Sequence, residues 1–293
     1  MRVGGDKFYP PQVGTSRFLF RERVVDDLVR RCGSRKPIIV LEAQAGQGKT
    51  TVIKQFLDHL CLDTAWYQVT PEDADPAFFL VALRACLTHM LPQCPFAADI
   101  ASQGAVDIAR FDLPKRLDQL LGPLQDFLKK DLFFVFDDLH HLVAHEASLF
   151  IVSYLMANAP PQLHFVLSSR EALPREVLRP LADGRDVVAL GNRELALTDH
   201  EITDLFDQVF QVALSHEAVR EISLKTDGWV MGTLLLGLQM GQGHGRSPGS
   251  AWGGAAGDDI REYFRRKVFA ALAPRLREPL LHLSLLEDIP VPL

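Results

Sequence analysis

The sequence predicts an α/β fold built on a parallel sheet, and three observations carry that prediction. An apolar, β-branched run, Ile38-Ile-Val-Leu41, leads into A-Q-A-G-Q-G-K-T at Ala43 to Thr50, and a helix-like stretch follows from Thr51 to Leu57. A second apolar run, Leu132 to Phe136, ends in two carboxylates, Asp137 and Asp138. Elsewhere, short strand patterns alternate with helix patterns, the arrangement that crossover connections of a parallel sheet produce.

Residues 1 to 20 read as an irregular arm, with Pro10-Pro11 and Gly14. Arg21 to Arg31 follows as a basic helix, whose apolar residues Val24, Val25, Leu28 and Val29 lie on one face. The first strand and the Gly-rich loop come next. Thr64 to Val69 reads as a strand stopped by Pro71, and Pro76 suits the N-terminus of a helix over Ala77 to Leu91. Residues 92 to 111 are irregular, and Leu113 to Leu128 is helical in pattern. After the carboxylates comes a helix, Ser148 to Ala157, closed by Pro160-Pro161. Leu163 to Ser169 and Val187 to Leu190 are the last two strands.

Beyond Gly191 the pattern is helical. Thr198-Asp-His-Glu201 fits a capping box, and Ile202, Leu205, Phe206, Val209 and Phe210 form an amphipathic stripe. A helix over His216 to Lys225 stops at Asp227-Gly228. Trp229 to Leu238 is apolar nearly all round and reads as a buried helix. Residues 241 to 257 read as a Gly-rich flexible linker, and helical pattern resumes from Asp258 to Leu286. The expected domains are therefore 1 to 190, α/β; 191 to 240, helical; the linker 241 to 257; and a helical portion, 258 to 293.

The loop has the strand and helix context that phosphate binding requires. Backbone N–H groups of Ala45, Gly46, Gln47, Gly48, Lys49, Thr50 and Thr51 are placed to meet nucleotide phosphates, aided by the helix N-terminus. Gly46 and Gly48 permit backbone angles that a Cβ obstructs. Lys49 has the reach for the β and γ phosphates, and the Thr50 hydroxyl suits Mg²⁺. The first position of G-x-x-x-x-G-K-[ST] is Ala43 rather than Gly, so a chance Gly-rich turn stands as the alternative until a second motif is found.

Asp137 and Asp138 supply that motif. Five apolar residues in a row suit a strand covered on both faces, and ligands of open α/β sheets bind beyond the carboxyl ends of the strands. Asp137 fits a Walker-B role, holding Mg²⁺ through its water shell. Asp138 points elsewhere and is the candidate to polarise an attacking water. For a lone pair of carboxylates, a turn or helix N-cap would be the simpler reading.

Bulk properties narrow the remaining classes. At 293 residues the chain suits two or three domains with an ample core. The net charge, 31 − 37 = −6, argues against a broad nucleic-acid surface. The first residues lack a signal-peptide core, and no apolar run reaches a membrane span. Cys32, Cys61, Cys86 and Cys94 show no C-x-x-C spacing and are read as reduced thiols of a cytoplasmic protein. A zinc site from Cys86, His89 and Cys94 has irregular spacing and is disfavoured.

Taken in order, these motifs resemble one family, the STAND NTPases, and within it the MalT-like ATP-dependent regulators. The resemblance rests on Arg21-Glu-Arg-Val24, Ala43 to Thr51, Ala65-Trp66, Asp73-Ala-Asp-Pro76, Phe136-Asp-Asp-Leu-His140, Leu167-Ser-Ser-Arg170, Leu197 to Glu201, Asp227-Gly-Trp229 and Leu281 to Leu286. Ala at the first loop position also occurs in that family. The resemblance implies a P-loop NTPase domain of AAA+/STAND type, a small helical domain and the start of a winged-helix-like domain around ATP or ADP with Mg²⁺. It implies a closed ADP state, an ATP state that self-associates, and an inducer acting through regions beyond this chain. Arg170 matches a sensor arginine for the γ-phosphate. Arg21, Arg23 and Val24 match a segment near the adenine, although both arginines equally suit a solvated helix. Gly228-Trp229 matches a motif facing the nucleotide, although Trp229 among apolar neighbours suits a core residue better.

The expected function is a slow Mg²⁺-dependent ATPase switch, with Asp138, Lys49 and Arg170 at the chemistry and Thr50 and Asp137 at the metal. A nucleotide-dependent scaffold without hydrolysis is the alternative. A metabolic kinase lacks an arginine-rich lid between 171 and 240. A complete transcription factor lacks an evident DNA-binding element, since only Arg261 to Lys267 approaches a basic recognition face. The family's sensor repeats and helix-turn-helix are not visible, so a portion of a longer regulator or a reduced member is expected.

Overall fold

Five short strands account for the sheet: β1 (Ile38–Glu42), β2 (Asp63–Gln68), β3 (Leu132–Asp137), β4 (Leu163–Ser169) and β5 (Val187–Leu190). The computed structural model describes residues 5–10, 19–33, 37–96, 113–178 and 187–242. All neighbouring strands are parallel, in the order β2-β3-β4-β1-β5. Register sets Phe136 beside Leu167 and Leu41 beside Ser168, so the carboxyl ends of β3, β4 and β1 finish at one edge. The expected linker beyond Gln242 and the helical portion 258 to 293 lie outside the described residues.

Alternation along each strand builds two cores, because successive side chains point to opposite faces. Val40, Tyr67, Phe134, Phe136, Phe165 and Leu167 share one face with α3 (Pro76–Met90), α4 (Leu113–Phe127) and α5 (Glu146–Asn158). Leu41, Trp66, Val135, Val166 and Val188 share the other with α1 (Glu22–Cys32) and α2 (Lys49–His59). Strands β3 and β4 are buried along their whole length, as continuous apolar runs require. The outermost strand, β5, alternates exposed and buried positions. A short helix, α6 (Arg175–Leu178), follows β4, and α7 (Asn192–Leu195) follows β5.

In the 3-10 turn Pro71–Ala74 that follows β2, Asp73 is fully buried. Its carboxylate accepts from Lys7 Nζ at 2.6 Å and from the Tyr67 hydroxyl at 2.6 Å. Burial, and then Asp73, push the Tyr67 phenol well above its ordinary range, so it stays a donor. Phe8 is buried beside Lys7, so the arm read as irregular contributes to the core at this point.

The chain divides into two compact units, Met1–Ala196 and Leu197–Leu293. In the second, Thr198 caps α8 (Asp199–Leu205) through a capping box with Glu201. The amphipathic stripe does not continue as one α-helix. A π-helical turn, Phe206–Phe210, follows α8, and Val212 N–H reaches back to the Phe206 carbonyl. Then come α9 (His216–Thr226) and α10 (Val230–Gln242). The latter is not buried all round: Leu236 is fully buried and Leu238 is 52% exposed. Gly232 and Gly237 lack the Cβ atoms that would strike the Trp229 and Phe210 rings. Trp229 is half-buried, its ring over Gly232, rather than deep in a core. Among the described residues, no helix is long and apolar enough to cross a membrane.

Candidate nucleotide site

The loop Ala43–Gly48 joins β1 to α2 at the carboxyl edge of the sheet. Gly46 (φ 76°) and Gly48 (φ 84°) are left-handed, where a side chain costs about 1 kcal/mol or more. Those two angles turn the chain sharply enough for α2 to begin at Lys49. Lys49 is 7% exposed, and its ammonium donates to the carbonyls of Ala43 (2.5 Å) and Gln44 (3.0 Å). Burial pulls its pKa down to about 8, with Arg170 adding to the effect and Asp138 and Asp137 opposing it.

Thr50 stands at the second position of α2, and its hydroxyl donates to Asp137 Oδ2 at 3.0 Å. The other oxygen, Oδ1, accepts from the Ser168 hydroxyl and from Asp138 N–H. Burial, then the charge of Asp138, raises the Asp137 pKa, against the lowering effect of Ser168, Thr50 and Lys49. Asp138 is left-handed (φ 63°), and this turn separates its carboxylate from that of Asp137. Asp138 Oδ1 lies 3.5 Å from Arg170 Nε and 3.6 Å from His140 Nδ1. Lys49, Thr50, Asp137, Asp138 and Arg170 therefore converge on one end of the sheet. A hydroxyl next to a buried carboxylate, beside a lysine and a Gly-rich loop, is a donor set that fits Mg²⁺ carried by phosphate oxygens and water. Among the described residues, no group of three or more His, Cys, Asp or Glu is placed to hold a metal by itself. Cys86 Sγ donates to the Trp66 carbonyl, His89 pairs with the Tyr9 hydroxyl, and all four cysteines are free.

The segment Arg21 to Val24 leads into α1. Val24 is a core residue, 1% exposed. Arg21 donates to the carbonyls of Leu195 and Ala196, and Arg23 to those of Glu194 and Ala196. Arg21 N–H also donates to Gln55 Oε1, on α2.

Three contributors escaped sequence reasoning. Ser168 sits in an ordinary strand pattern, and only the β3–β4 pairing brings it to Asp137. Asn192 Oδ1 accepts from Gln44 N–H at 2.9 Å, which ties the phosphate loop to α7. Gln55 joins α2 to Arg21 and, through its amide, to the Leu19 carbonyl. Polar residues in amphipathic patterns give no sign of such partners.

Among solved structures, the ORC1 protein of Aeropyrum pernix in complex with DNA superposes with a TM-score of 0.56 at 15% identity, over 95% of this chain and 75% of that one. The Walker-type ATPase PABY2304 of Pyrococcus abyssi superposes with a TM-score of 0.52 at 13% identity, over 85% and 77%. The fold is that of a P-loop NTPase.

In sequence, this P-loop chain is 25% identical over 285 residues to serine/threonine-protein kinase PknK of Mycobacterium tuberculosis (strain ATCC 25618 / H37Rv). The match covers 95% of this chain and 25% of that protein, with the same figures for PknK of Mycobacterium bovis (strain ATCC BAA-935 / AF2122/97). The chain thus spans about a quarter of the length of the curated relatives it matches. No family model matches it.

Proposed function

We propose that this chain is a Mg²⁺-dependent ATP- and ADP-binding switch with slow ATP hydrolysis, the nucleotide-handling portion of a larger STAND regulator of MalT-like type. The observation that carries this reading is the Thr50–Asp137 hydrogen bond beside Lys49. It joins the Gly-rich loop to the carboxylate strand in the arrangement that nucleotide and metal need together.

The roles follow from position. N–H groups from Ala45 to Thr51 hold the phosphates, Lys49 carries charge to them, and Thr50 and Asp137 hold the metal. Mg²⁺ supplies charge neutralisation between the phosphates when bound. Asp138 accepts the proton of the attacking water, and Arg170 faces the γ-phosphate. Arg21, Arg23 and Val24 frame the base side indirectly, through the 194–196 carbonyls and the core behind α1. The division into 1 to 190, 191 to 240, 241 to 257 and 258 to 293 belongs to the same proposal, as do a cytoplasmic setting, self-association with ATP and an inducer acting elsewhere. The kinase activity named for the PknK relatives belongs to proteins of which this chain spans about a quarter. The loop here is G-Q-G-K-T with a Walker-type lysine, a different phosphate cradle from the Gly-rich loop of protein kinases.

Titration calorimetry of the purified chain with ATP and ADP, with and without Mg²⁺, tests the reading, together with phosphate release. Saturable binding of both nucleotides and slow Mg²⁺-dependent release are expected. Binding of neither nucleotide overturns it, and tight binding without any release leaves the scaffold alternative.

A further inference from the structure

We propose that Asn192 is the positioning residue that fastens the phosphate loop to α7, so that filling the loop with nucleotide steadies the segment 194–197, which leads into the second unit. This role rests on the nucleotide-binding reading above and falls to a side chain which that reading does not use.

Asparagine at the start of a helix ordinarily turns its side chain back to cap that helix. The start of α7 is served otherwise, because the Glu194 carboxylate accepts from Gly191 N–H at 2.7 Å. The Asn192 side chain is left for another partner, and its Oδ1 accepts from Gln44 N–H at 2.9 Å, 148 residues away in sequence. Strand order brings the two together: β5 pairs with β1 as far as Leu190 beside Leu41, so the loop and α7 leave the sheet next to each other. A second tie runs through Gln47. Its Nε2 donates to the Asn192 carbonyl at 3.4 Å, and its Oε1 accepts from Gln44 Nε2 at 3.3 Å. Gln47 stands between the two left-handed glycines and is 1% exposed, so its side chain is packed within the protein. Gln44, Gln47 and Asn192 thus close a ring of hydrogen bonds between the loop and α7.

Gln44 is held from two directions. Asn192 takes its N–H, and Lys49 Nζ donates to its carbonyl at 3.0 Å. A bound phosphate competes for Lys49, and the Gln44 carbonyl then loses that donor. A site acts on its surroundings only through contacts that differ between its states, and the Lys49–Gln44 bond is such a contact. The Asn192 bond passes the change from Gln44 to α7. From there it reaches the far end of the helix, which is gripped in turn: Arg21 and Arg23 donate to the carbonyls of Glu194, Leu195 and Ala196, and Leu195 is fully buried. Order gained by the loop on binding is therefore shared by residues 194–197. Without the Asn192 side chain the loop still folds around phosphate, but that order stays within it.

The test follows amide hydrogen exchange in the full chain, with and without Mg-ADP at a saturating level set by calorimetry for each variant. Leu195 N–H donates to the Gly191 carbonyl and Leu197 N–H to the Gly228 carbonyl, so these two amides report opening of the segment. In wild type, Mg-ADP should slow their exchange by on the order of fivefold, the lower end of ordinary coupling between sites. Asn192→Ala should bind Mg-ADP and lose the slowing. Asn192→Asp has the same shape and keeps the acceptor, so it should retain the slowing at saturation. Unchanged exchange in ADP-bound wild type overturns the proposal, and so does wild-type slowing in Asn192→Ala. Equal loss in the Ala and Asp variants also overturns it, because the acceptor is then not what carries the effect. If wild type binds no Mg-ADP, the nucleotide reading fails and this proposal falls with it. If Asn192→Ala alone fails to bind, only the proposal falls, because the residue then holds the loop itself. If circular dichroism shows Asn192→Ala misfolded, Asn192→Ser, whose hydroxyl is too short to reach Gln44 N–H, takes its place under the same criteria.

Discussion

Thr50 donates its hydroxyl to Asp137 across 87 residues of sequence, at 3.0 Å, and this one bond joins the two halves of the candidate site. If both groups serve the metal, each should be needed for Mg²⁺ and not for the fold. Asp137→Ala should weaken the Mg²⁺ dependence of ATP binding, whereas Asp138→Asn should bind Mg-ATP normally and hydrolyse it on the order of a hundredfold more slowly. Calorimetry and phosphate release on the two variants separate these effects. Equal hydrolysis by Asp138→Asn and wild type would refute the division of labour.

Lys49 gives a prediction with a sign in pH. Its pKa of about 8 means that the free protein loses this proton as pH rises through 8. A phosphate partner favours the charged form, so the complex must titrate higher. ATP affinity should therefore be full below about pH 8 and fall above it by up to about tenfold per pH unit. Lys49→Ala should weaken ATP and ADP binding by roughly ten- to a hundredfold, with helical content unchanged and the pH dependence lost. Calorimetry at pH 7, 8 and 9 checks both statements, and wild-type affinity in the variant would remove the loop assignment.

Arg170 sits 3.5 Å from Asp138 at the end of β4. A ligand shifts a switch only through contacts that differ between its states. Arg170→Ala should bind ADP about as wild type does and lose any preference for ATP. Competition titrations measure this directly, and an unchanged ATP-to-ADP ratio argues against a sensor.

Lys7 and Asp73 predict a stability effect remote from the site. Asp73 is fully buried, and Lys7 is its cationic partner at 2.6 Å. Lys7→Met leaves that carboxylate without a cation, a change that costs about 3–5 kcal/mol in buried pairs. Adding Asp73→Asn should restore a good part of the loss. Urea unfolding of the single and double variants measures the coupling. A loss below about 1 kcal/mol would mean that the pair contributes little.

Much of this protein is local information and could be read directly. Ile38 to Leu41 and Leu163 to Ser169 announce strands by apolar runs, Thr198 and Glu201 announce a helix start, and Gly46 and Gly48 mark a turn before Lys49. Such signals depend on periodicity and backbone preference within about ten residues. Elements were legible to within a few residues for the same reason. The reading departs from the structure where the stripe after Leu205 goes into a π-turn, where Leu238 of α10 is left exposed, and where the arm read as irregular sends Phe8 into the core.

Which side chains meet is a different matter. Ser168 reaches Asp137 across 31 residues, Asn192 reaches Gln44 across 148, and Arg21 reaches Leu195 across 174. No period within a helix or strand encodes such pairs. They follow from the strand order β2-β3-β4-β1-β5, which sets β4 between the carboxylate strand and the loop strand, and β5 beside β1. The sequence by itself determined the chemistry available, a lysine, a hydroxyl and two carboxylates at strand ends. The tertiary structure alone decided that Asp138 lies between Arg170 and His140 and that Arg21 and Arg23 hold the 194–196 carbonyls, because long-range contacts depend on how the strands are ordered and not on the residues that flank them.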